Sequence, residues 1–218
     1  MLRKERNFGS VIIGGPAGYG IIRSGWLLGK AFSVGGLYSF VTSEYPSLIQ
    51  GGHNFVMVRF SPEPIYSHWP TTDILIAFDE LSIKRHIGKV EAGGVVIYDL
   101  TYFNAKEYEK MNESINFLPI PLTKLVKDAG LPLITRNVVA IGAFCTIMNY
   151  QLRCLHAAIR RAFKGKAKII EMNIKASLIG KEYVERNFDY RITLPFQPPY
   201  TGPKYFISGN EAISLGAI

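Results

Sequence analysis

Short apolar runs alternate with segments of helical periodicity along the first hundred residues. Runs rich in Val, Ile and Phe, bounded by glycine or polar residues, are typical of buried strands. They predict five strands, at residues 10–14, 37–42, 54–60, 73–78 and 94–98. Helices are predicted over about 21–34 and 81–90, with a glycine turn at 92–94. Apolar strands separated by helices indicate a three-layer α/β/α, Rossmann-like fold with a mostly parallel or mixed sheet.

The second half of the chain is helical in pattern. A charge-free stretch between Arg136 and Arg153 predicts one buried helix, because it carries Asn and Gln and is shorter than the roughly 20 apolar residues of a membrane span. Two amphipathic helices are predicted at about 151–163 and 169–184. The Pro- and aromatic-rich segment 192–206 predicts an extended arm that packs on this domain or on a neighbour.

Charge changes this picture in one region. The chain has a net charge of +8, and residues 150–186 hold nine Lys and Arg against three acids. Such a field favours a polyanionic ligand or an acidic partner, although a solvated helix face explains it equally well. Nucleic acid is not expected as a partner, since few aromatic residues interleave the basic ones. With 48% hydrophobic residues, the composition excludes an intrinsically disordered chain.

The cysteines and histidines indicate little chemistry of their own. Cys145 and Cys154 exclude a disulfide framework and form no Cys-x-x-Cys pattern, so we expect this chain to hold no iron–sulfur cluster or metal. His86 and His156 lie in predicted amphipathic helices and are expected to be structural. The basic N-terminus lacks the pattern of a signal peptide, so we expect a cytoplasmic protein that does not enter the membrane.

A glycine-rich loop between the first predicted strand and the first helix is the clearest candidate for chemistry. Gly15, Gly18 and Gly20 punctuate it, and backbone N–H groups in this context bind phosphate. The spacing differs from the dinucleotide fingerprint Gly-x-Gly-x-x-Gly. Three interpretations stay open: a phosphate ligand, a nicotinamide or flavin dinucleotide with Glu44 as the ribose-binding acid, and close strand–helix packing without a ligand.

The polar segment SEYPSLIQGGH, residues 43–53, is the second candidate. Long loops between strands are often functional, so a ligand or subunit pocket is expected there, against the alternative of a surface excursion. Four acids are placed at predicted strand ends, where ligand sites of α/β folds form, and helix capping explains the second equally well: Asp73, Asp79, Glu80 and Asp99. No Gly-x-Ser-x-Gly nucleophile motif is present, and we expect no catalytic residue.

Five segments, in order, resemble the gamma subunit of 2-oxoacid:ferredoxin oxidoreductases, also described as domain III of pyruvate:ferredoxin oxidoreductase. They are GGPAGYGIIRSG, SEYPSLIQGGHNFVMVRFS, DILIAFDE, GGVVIYD and RNVVAIGA. The resemblance runs from about Gly14 to Lys181. Many gamma subunits carry Gly-Gly-Gln-Gly where this chain has residues 17–20, and Arg where it has Gln50. The missing Arg weakens the case for an anionic contact at that position.

The resemblance implies an enzyme that decarboxylates a 2-oxoacid on thiamine diphosphate with Mg, passes electrons through iron–sulfur clusters to ferredoxin and releases an acyl-coenzyme A. This chain has no Gly-Asp-Gly thiamine motif. The resemblance therefore implies that partner alpha and beta subunits hold these cofactors, that the isolated chain is inactive, and that it supports the coenzyme A and thiamine site. The residues it assigns to that site are Gly15, Gly18, Tyr19, Gly20, Ser43, Glu44, Tyr45, Pro46, Gln50, Gly51 and Gly52.

The domain organisation follows from the same resemblance. Residues 1–207 are expected to form the gamma domain. The final segment GNEAISLGAI, with Ser208 as a helix start, resembles the junction in enzymes where gamma is fused to alpha. Residues 208–218 are thus expected to begin a linker or helix toward an alpha domain. Two other functions stay open: an independent Rossmann-type nucleotide-binding reductase, and a module that only assembles subunits.

Overall fold

The computed structural model describes residues 6–46, 52–194, 196–200 and 202–218. Its strands are Gly9–Pro16 (β1), Tyr38–Glu44 (β2), His53–Ser61 (β3), Thr72–Ala77 (β4), Val90–Asp99 (β5) and Asn116–Ile120 (β6). They form a mixed sheet in the order β2-β3-β1-β4-β5-β6. β1, β4, β5 and β6 pair in parallel, whereas β3 pairs antiparallel with β1 and β2. We call the edge at which the parallel strands end the carboxyl edge, and the opposite one the amino edge.

Helices cover both faces of this sheet, which confirms the predicted three layers. They are Ile21–Val34 (α1), Glu80–His86 (α2), Lys106–Met111 (α3), Leu122–Asp128 (α4), Arg136–Ile147 (α5), Leu152–Ala162 (α6), Ala167–Asn187 (α7) and Gly209–Gly216 (α8). Alternate residues of a strand point to opposite faces, so Val11 and Ile13 enter one core while Ile12 enters the other. The first core lies under α1 and α4 to α7, and the second under α2 and α3.

The sheet differs from its prediction at two places. β6 was not predicted, because it is only five residues long and contains Pro119, a residue that sheets tolerate at an edge. The glycine turn predicted at 92–94 lies inside β5, where the register with β4 shifts after Thr72. The extra residues of β5 are accommodated in this irregularity rather than in a turn.

The buried helix predicted between Arg136 and Arg153 is α5, which is shorter than that stretch, and the helix predicted at about 151–163 is α6. α5 ends at Ile147, and the chain turns at Asn149, whose φ of 50° lies in the left-handed region that Asn tolerates. Cys145 and Cys154 consequently lie on different helices, and both are free thiols in the protein interior.

The predicted arm packs on this domain through its described residues. The Tyr200 amide donates to the Gly35 carbonyl over 2.9 Å, and Phe206 packs edge-on against Trp26 at 5.3 Å between ring centroids. Beyond the arm, α8 begins with a capping box between Ser208 and Glu211. The side chains of α8 are exposed to solvent.

Candidate functional site

The first loop singled out in the sequence and the Gly52–His53 end of the second lie side by side at the carboxyl edge. β1 ends at Pro16, opposite His53 at the start of β3. Immediately beyond this pair, the Ala17 amide donates to the Gly52 carbonyl over 3.0 Å. The antiparallel β3 therefore brings the end of the second loop onto the glycine loop, which we define as residues 17–20.

The glycine loop leads into the N-terminus of α1, which has no side-chain cap. Gly20 caps α1 with φ 73° and no side chain supplies a capping hydrogen bond, and the first turn holds no acidic residue. The first amides of a helix have no intrahelical acceptor, and the helix dipole favours negative charge there. Gly18 has φ 85°, is exposed, and has open space around the position of an added Cβ. This end of α1 has the character of an anion-binding terminus.

The other predicted site residues fall into three groups. Gly15 is buried, and an added Cβ would lie 2.8 Å from Ile21 Cδ1, so this glycine serves close strand–helix packing. Ser43 and Glu44 belong to β2 rather than to a loop, and exposed Tyr45 and half-buried Pro46 follow them. Gln50 and Gly51 lie outside the described residues.

Two residues that sequence reasoning assigned no role contact Tyr19 of the glycine loop. The Arg136 guanidinium lies over the Tyr19 ring, 3.5 Å from its centroid, and the Asn137 side-chain amide donates to the Tyr19 carbonyl. We call Arg136 and Asn137 the α5 clamp. Their signal in the sequence is a charged–polar dipeptide at the start of an otherwise apolar helix.

The α5 clamp is connected to the end of β5. An Arg136 Nη1 atom donates to Thr123 Oγ1 over 3.3 Å, and Thr123 Oγ1 donates to Asp99 Oδ2 over 2.6 Å. Arg136 is 6% exposed, and its Nε atom has no hydrogen-bond acceptor among the described residues, nor has Asn137 Oδ1 a donor there. The desolvation cost of this buried guanidinium is therefore only partly offset by its one long hydrogen bond to a hydroxyl.

Of the four acids predicted at strand ends, Asp99 alone joins this network. Asp79 caps α2 by accepting from the Ser82 amide over 2.9 Å, which agrees with the helix-capping alternative considered for it in the sequence. Glu80 accepts from the Tyr108 hydroxyl. The placement of Asp73 was wrong, because β4 begins at Thr72 and Asp73 therefore lies at the amino edge.

A pair of buried histidines joins the start of β3 to the end of α2. His53 Nε2 and His86 Nε2 are 2.8 Å apart, so one ring donates and the other accepts. Burial, reinforced by His53, lowers the pKa of His86 to about 4, and burial also lowers that of His53. Both rings are therefore neutral at physiological pH. The expectation that His86 and His156 are structural is consistent with their hydrogen bonds to His53 and Ser177.

The basic turn between α6 and α7 lies toward the same edge as the glycine loop. α6 begins beside the end of α1, where the Tyr150 hydroxyl donates to the Ala31 carbonyl over 3.0 Å, and it packs back along α1. α7 packs along α5 and is followed by Tyr190, which donates to the Gly93 carbonyl near the amino edge. At the opposite end of these helices, the turn that joins α6 to α7 and the helix ends beside it carry exposed cations. They are Arg160, Arg161, Lys164, Lys166 and Lys168, and we call this region the basic turn.

The described ranges contain no group of three His, Cys, Asp or Glu side chains placed to hold a metal ion. None of the helices in those ranges has the length and apolar character needed to cross a membrane. Amide N–H groups, guanidinium and ammonium groups lie toward the carboxyl edge, and groups of this kind bind anions.

The mixed six-stranded sheet with helices on both faces defines an α/β domain, a fold class in which ligands commonly bind at the carboxyl ends of the strands. Residues 10–183 match the family described as pyruvate ferredoxin/flavodoxin oxidoreductase, and the chain belongs to that family. It is 29% identical to the 2-oxoglutarate synthase subunit KorC of Methanothermobacter marburgensis, over 84% of this chain and 97% of KorC. It is 24% identical to subunit alpha of 2-oxoacid:ferredoxin oxidoreductase 2 of Aeropyrum pernix, over 96% of this chain and 39% of that subunit.

Solved structures agree with this assignment. The 2-oxoglutarate:ferredoxin oxidoreductase of Magnetococcus marinus, solved with 2-oxoglutarate, coenzyme A and succinyl-CoA bound, superposes with a TM-score of 0.76 at 26% identity, covering 89% of this chain and 34% of that one. A gamma subunit of a keto/oxoacid ferredoxin oxidoreductase from Geobacter sulfurreducens shares the fold, with a TM-score of 0.67 at 20% identity, covering 83% and 98%. The chain spans about two-fifths of the length of the alpha subunit that it matches.

Proposed function

We propose that this chain is the gamma part of a 2-oxoacid:ferredoxin oxidoreductase and that its carboxyl edge contacts the phosphates of coenzyme A. The whole enzyme would convert a 2-oxoacid and coenzyme A into an acyl-coenzyme A and CO₂, with two electrons passed to ferredoxin. In this proposal the chain binds and orients coenzyme A, while alpha and beta partners complete the reaction centre.

One observation carries the proposal: the hydrogen bond from Ala17 to Gly52 joins the two loops that carry the family resemblance. It brings together the uncapped N-terminus of α1, the exposed Gly18 and the Gly52 end of the second loop. Backbone N–H groups bind phosphate oxygens in such surroundings without needing a side chain. The solved relative of Magnetococcus marinus contains coenzyme A, which supports this choice of anion.

The other cofactors of the proposed enzyme require groups that differ from those at this edge. Iron–sulfur clusters are held by cysteine thiolates, and burial raises the pKa of both Cys145 and Cys154, which keeps them protonated. Thiamine diphosphate would supply the carbanion chemistry of decarboxylation. We assign both groups to partner subunits, and place the chain itself in the cytoplasm.

Calorimetric titration of the chain with coenzyme A, alone and after reconstitution with alpha and beta subunits, tests the proposal with Gly18→Val. A β-branched residue is strained at a φ of 85° and displaces the loop amides. We expect the affinity for coenzyme A to fall by about tenfold or more, which corresponds to about 1.4 kcal/mol.

Gly130→Val is the matched control, because Gly130 has φ 65° with open space around an added Cβ but follows α4. It should destabilise the fold similarly and leave coenzyme A binding unchanged. Equal affinity of wild type and Gly18→Val would contradict the proposal. If Gly18→Val instead abolished subunit association with normal coenzyme A kinetics, the chain would be a pure assembly module.

A further inference from the structure

Arg136 is a buried cation without a carboxylate partner in the described part of the chain. Its guanidinium is 6% exposed, and the hydrogen bond that it donates there goes to the neutral Thr123 hydroxyl over 3.3 Å. The nearest acid in this network, Asp99, is one hydroxyl group further on and already accepts from the Thr101 amide over 3.0 Å and from Thr123. Burying a positive charge to this extent raises the free energy of the folded protein unless a negative charge compensates it.

The position of this cation indicates where the counter-charge comes from. One face of the guanidinium is covered by Tyr19, which belongs to the glycine loop. Asn137, the next residue, is hydrogen-bonded to the backbone of the same loop. This charge, which has no direct carboxylate contact among the described residues, therefore lies next to the loop whose amides and helix terminus favour an anion, and the two features reinforce each other.

We propose that Arg136 supplies the positive charge by which this site recognises an anion. The anion is a phosphate group bound on the glycine loop. This inference rests on the proposed function in placing a phosphate there, and it assigns recognition to a buried arginine rather than to the exposed basic turn. Arginine suits this role because its planar fork of donors matches phosphate oxygens and loses no charge on burial.

Thermal unfolding and calorimetry with inorganic diphosphate, at constant ionic strength, test the inference. Diphosphate should raise the melting temperature of the wild-type chain. Arg136→Met, which keeps the length of the side chain but not its charge, should lose that rise and melt no lower than wild type without anion. Arg136→Lys should retain a rise but bind diphosphate about tenfold more weakly, because a point charge replaces a bidentate donor. Arg186→Met, at the exposed end of α7, is the control and should respond like wild type.

The outcomes separate this inference from the proposed function. A wild-type chain that diphosphate does not stabilise, or an Arg136→Met variant that keeps the full response, overturns the role of Arg136. An Arg136→Met variant that melts well below wild type without anion also overturns it, since the guanidinium would then be structural. If coenzyme A binds wild type and Arg136→Met equally, the inference fails while the proposed function holds. If diphosphate binding depends on Arg136 but coenzyme A does not bind, the inference holds and the proposed function fails.

Discussion

Each of the two edges of the sheet has an arginine with most of its surface removed from solvent, and the two arginines differ in their partners. At the amino edge, Arg6 pairs with Asp73 over 3.7 Å and with Glu91. Asp73 also accepts from the Ser10 amide over 2.8 Å, so cation and carboxylate are both satisfied within the chain. At the carboxyl edge, Arg136 contacts a hydroxyl and an aromatic ring but no acid in the described ranges.

This contrast distinguishes a structural ion pair from a binding residue. A buried pair that is closed by its own acids fixes the start of β1 against β4 and has no capacity left for a ligand. Arg136 reaches its nearest acid in the described ranges only through the Thr123 hydroxyl, so its field also acts on the neighbouring loop. Burial alone therefore does not identify a functional arginine, and our inference uses the missing direct counter-charge instead.

The largest expected effect is a loss of stability when the ion pair at the amino edge is broken. Arg6→Met leaves the Asp73 carboxylate buried without its cation, at a site where burial already raises the pKa of Asp73. We expect the free energy of unfolding to fall by about 3 kcal/mol or more, measured by urea denaturation at neutral pH. Arg136→Met, with the same chemical change, should cost far less. Similar losses in both variants would remove the distinction between the two edges.

The histidine pair predicts a pH dependence that belongs to the carboxyl edge. The pKa of His86 is lowered from 6.5 to about 4 in the fold, mainly by burial, so the unfolded chain binds a proton more readily than the folded one. The stabilising contribution of neutral His86 is thus complete above pH 6.5 and is lost as the pH falls toward 4. The loss is up to roughly 3 kcal/mol, at about 1.36 kcal/mol per unit of pKa.

Denaturation at a series of pH values checks this prediction. The groups that act on the pair are the charges of Asp79, Arg85 and Lys89, and these remain in His86→Gln. That variant should flatten the fall in stability between pH 6.5 and 4. His68→Gln is the control, because this histidine is exposed to solvent in the segment between β3 and β4, away from the pair. An unchanged slope in His86→Gln would show that other groups titrate.

Local patterns predicted the separate parts of the site but not their association. The strand, glycine loop and helix around Gly18 are contiguous, so periodicity and turn chemistry reveal them; α1 was predicted at its observed bounds. The contact between Ala17 and Gly52 depends on β3 running antiparallel beside β1, a long-range pairing that neither segment encodes by itself. The family resemblance, not the residue pattern, linked the two loops in advance.

The residues that complete the site were beyond sequence reasoning for a related reason. Arg136 is separated from Tyr19 by more than half of the chain, and a single arginine at a helix start is ordinarily exposed. His53 and His86 likewise have no spacing that indicates a pair. Such contacts follow from tertiary packing of α5 and α2, which no local signal specifies. The short strand β6, which is the last strand on one side of the sheet, was itself not predicted.

The smallest expected effect concerns the exposed cations of the basic turn. Arg160→Ala together with Arg161→Ala removes two charges that lie in solvent at the carboxyl-edge end of α6. Exposed charges act through a screened field whose reach is about 10 Å at 0.1 M salt. Coenzyme A affinity should therefore fall only a few-fold at low ionic strength, and the difference should shrink as salt is added, with stability changed by less than about 0.5 kcal/mol. Calorimetry at two salt concentrations measures this, with Lys181→Ala and Arg186→Ala as the matched pair on α7. If the double variant lost more coenzyme A affinity than Arg136→Met, and if that loss did not depend on salt, recognition of the anion would belong to the exposed turn rather than to Arg136.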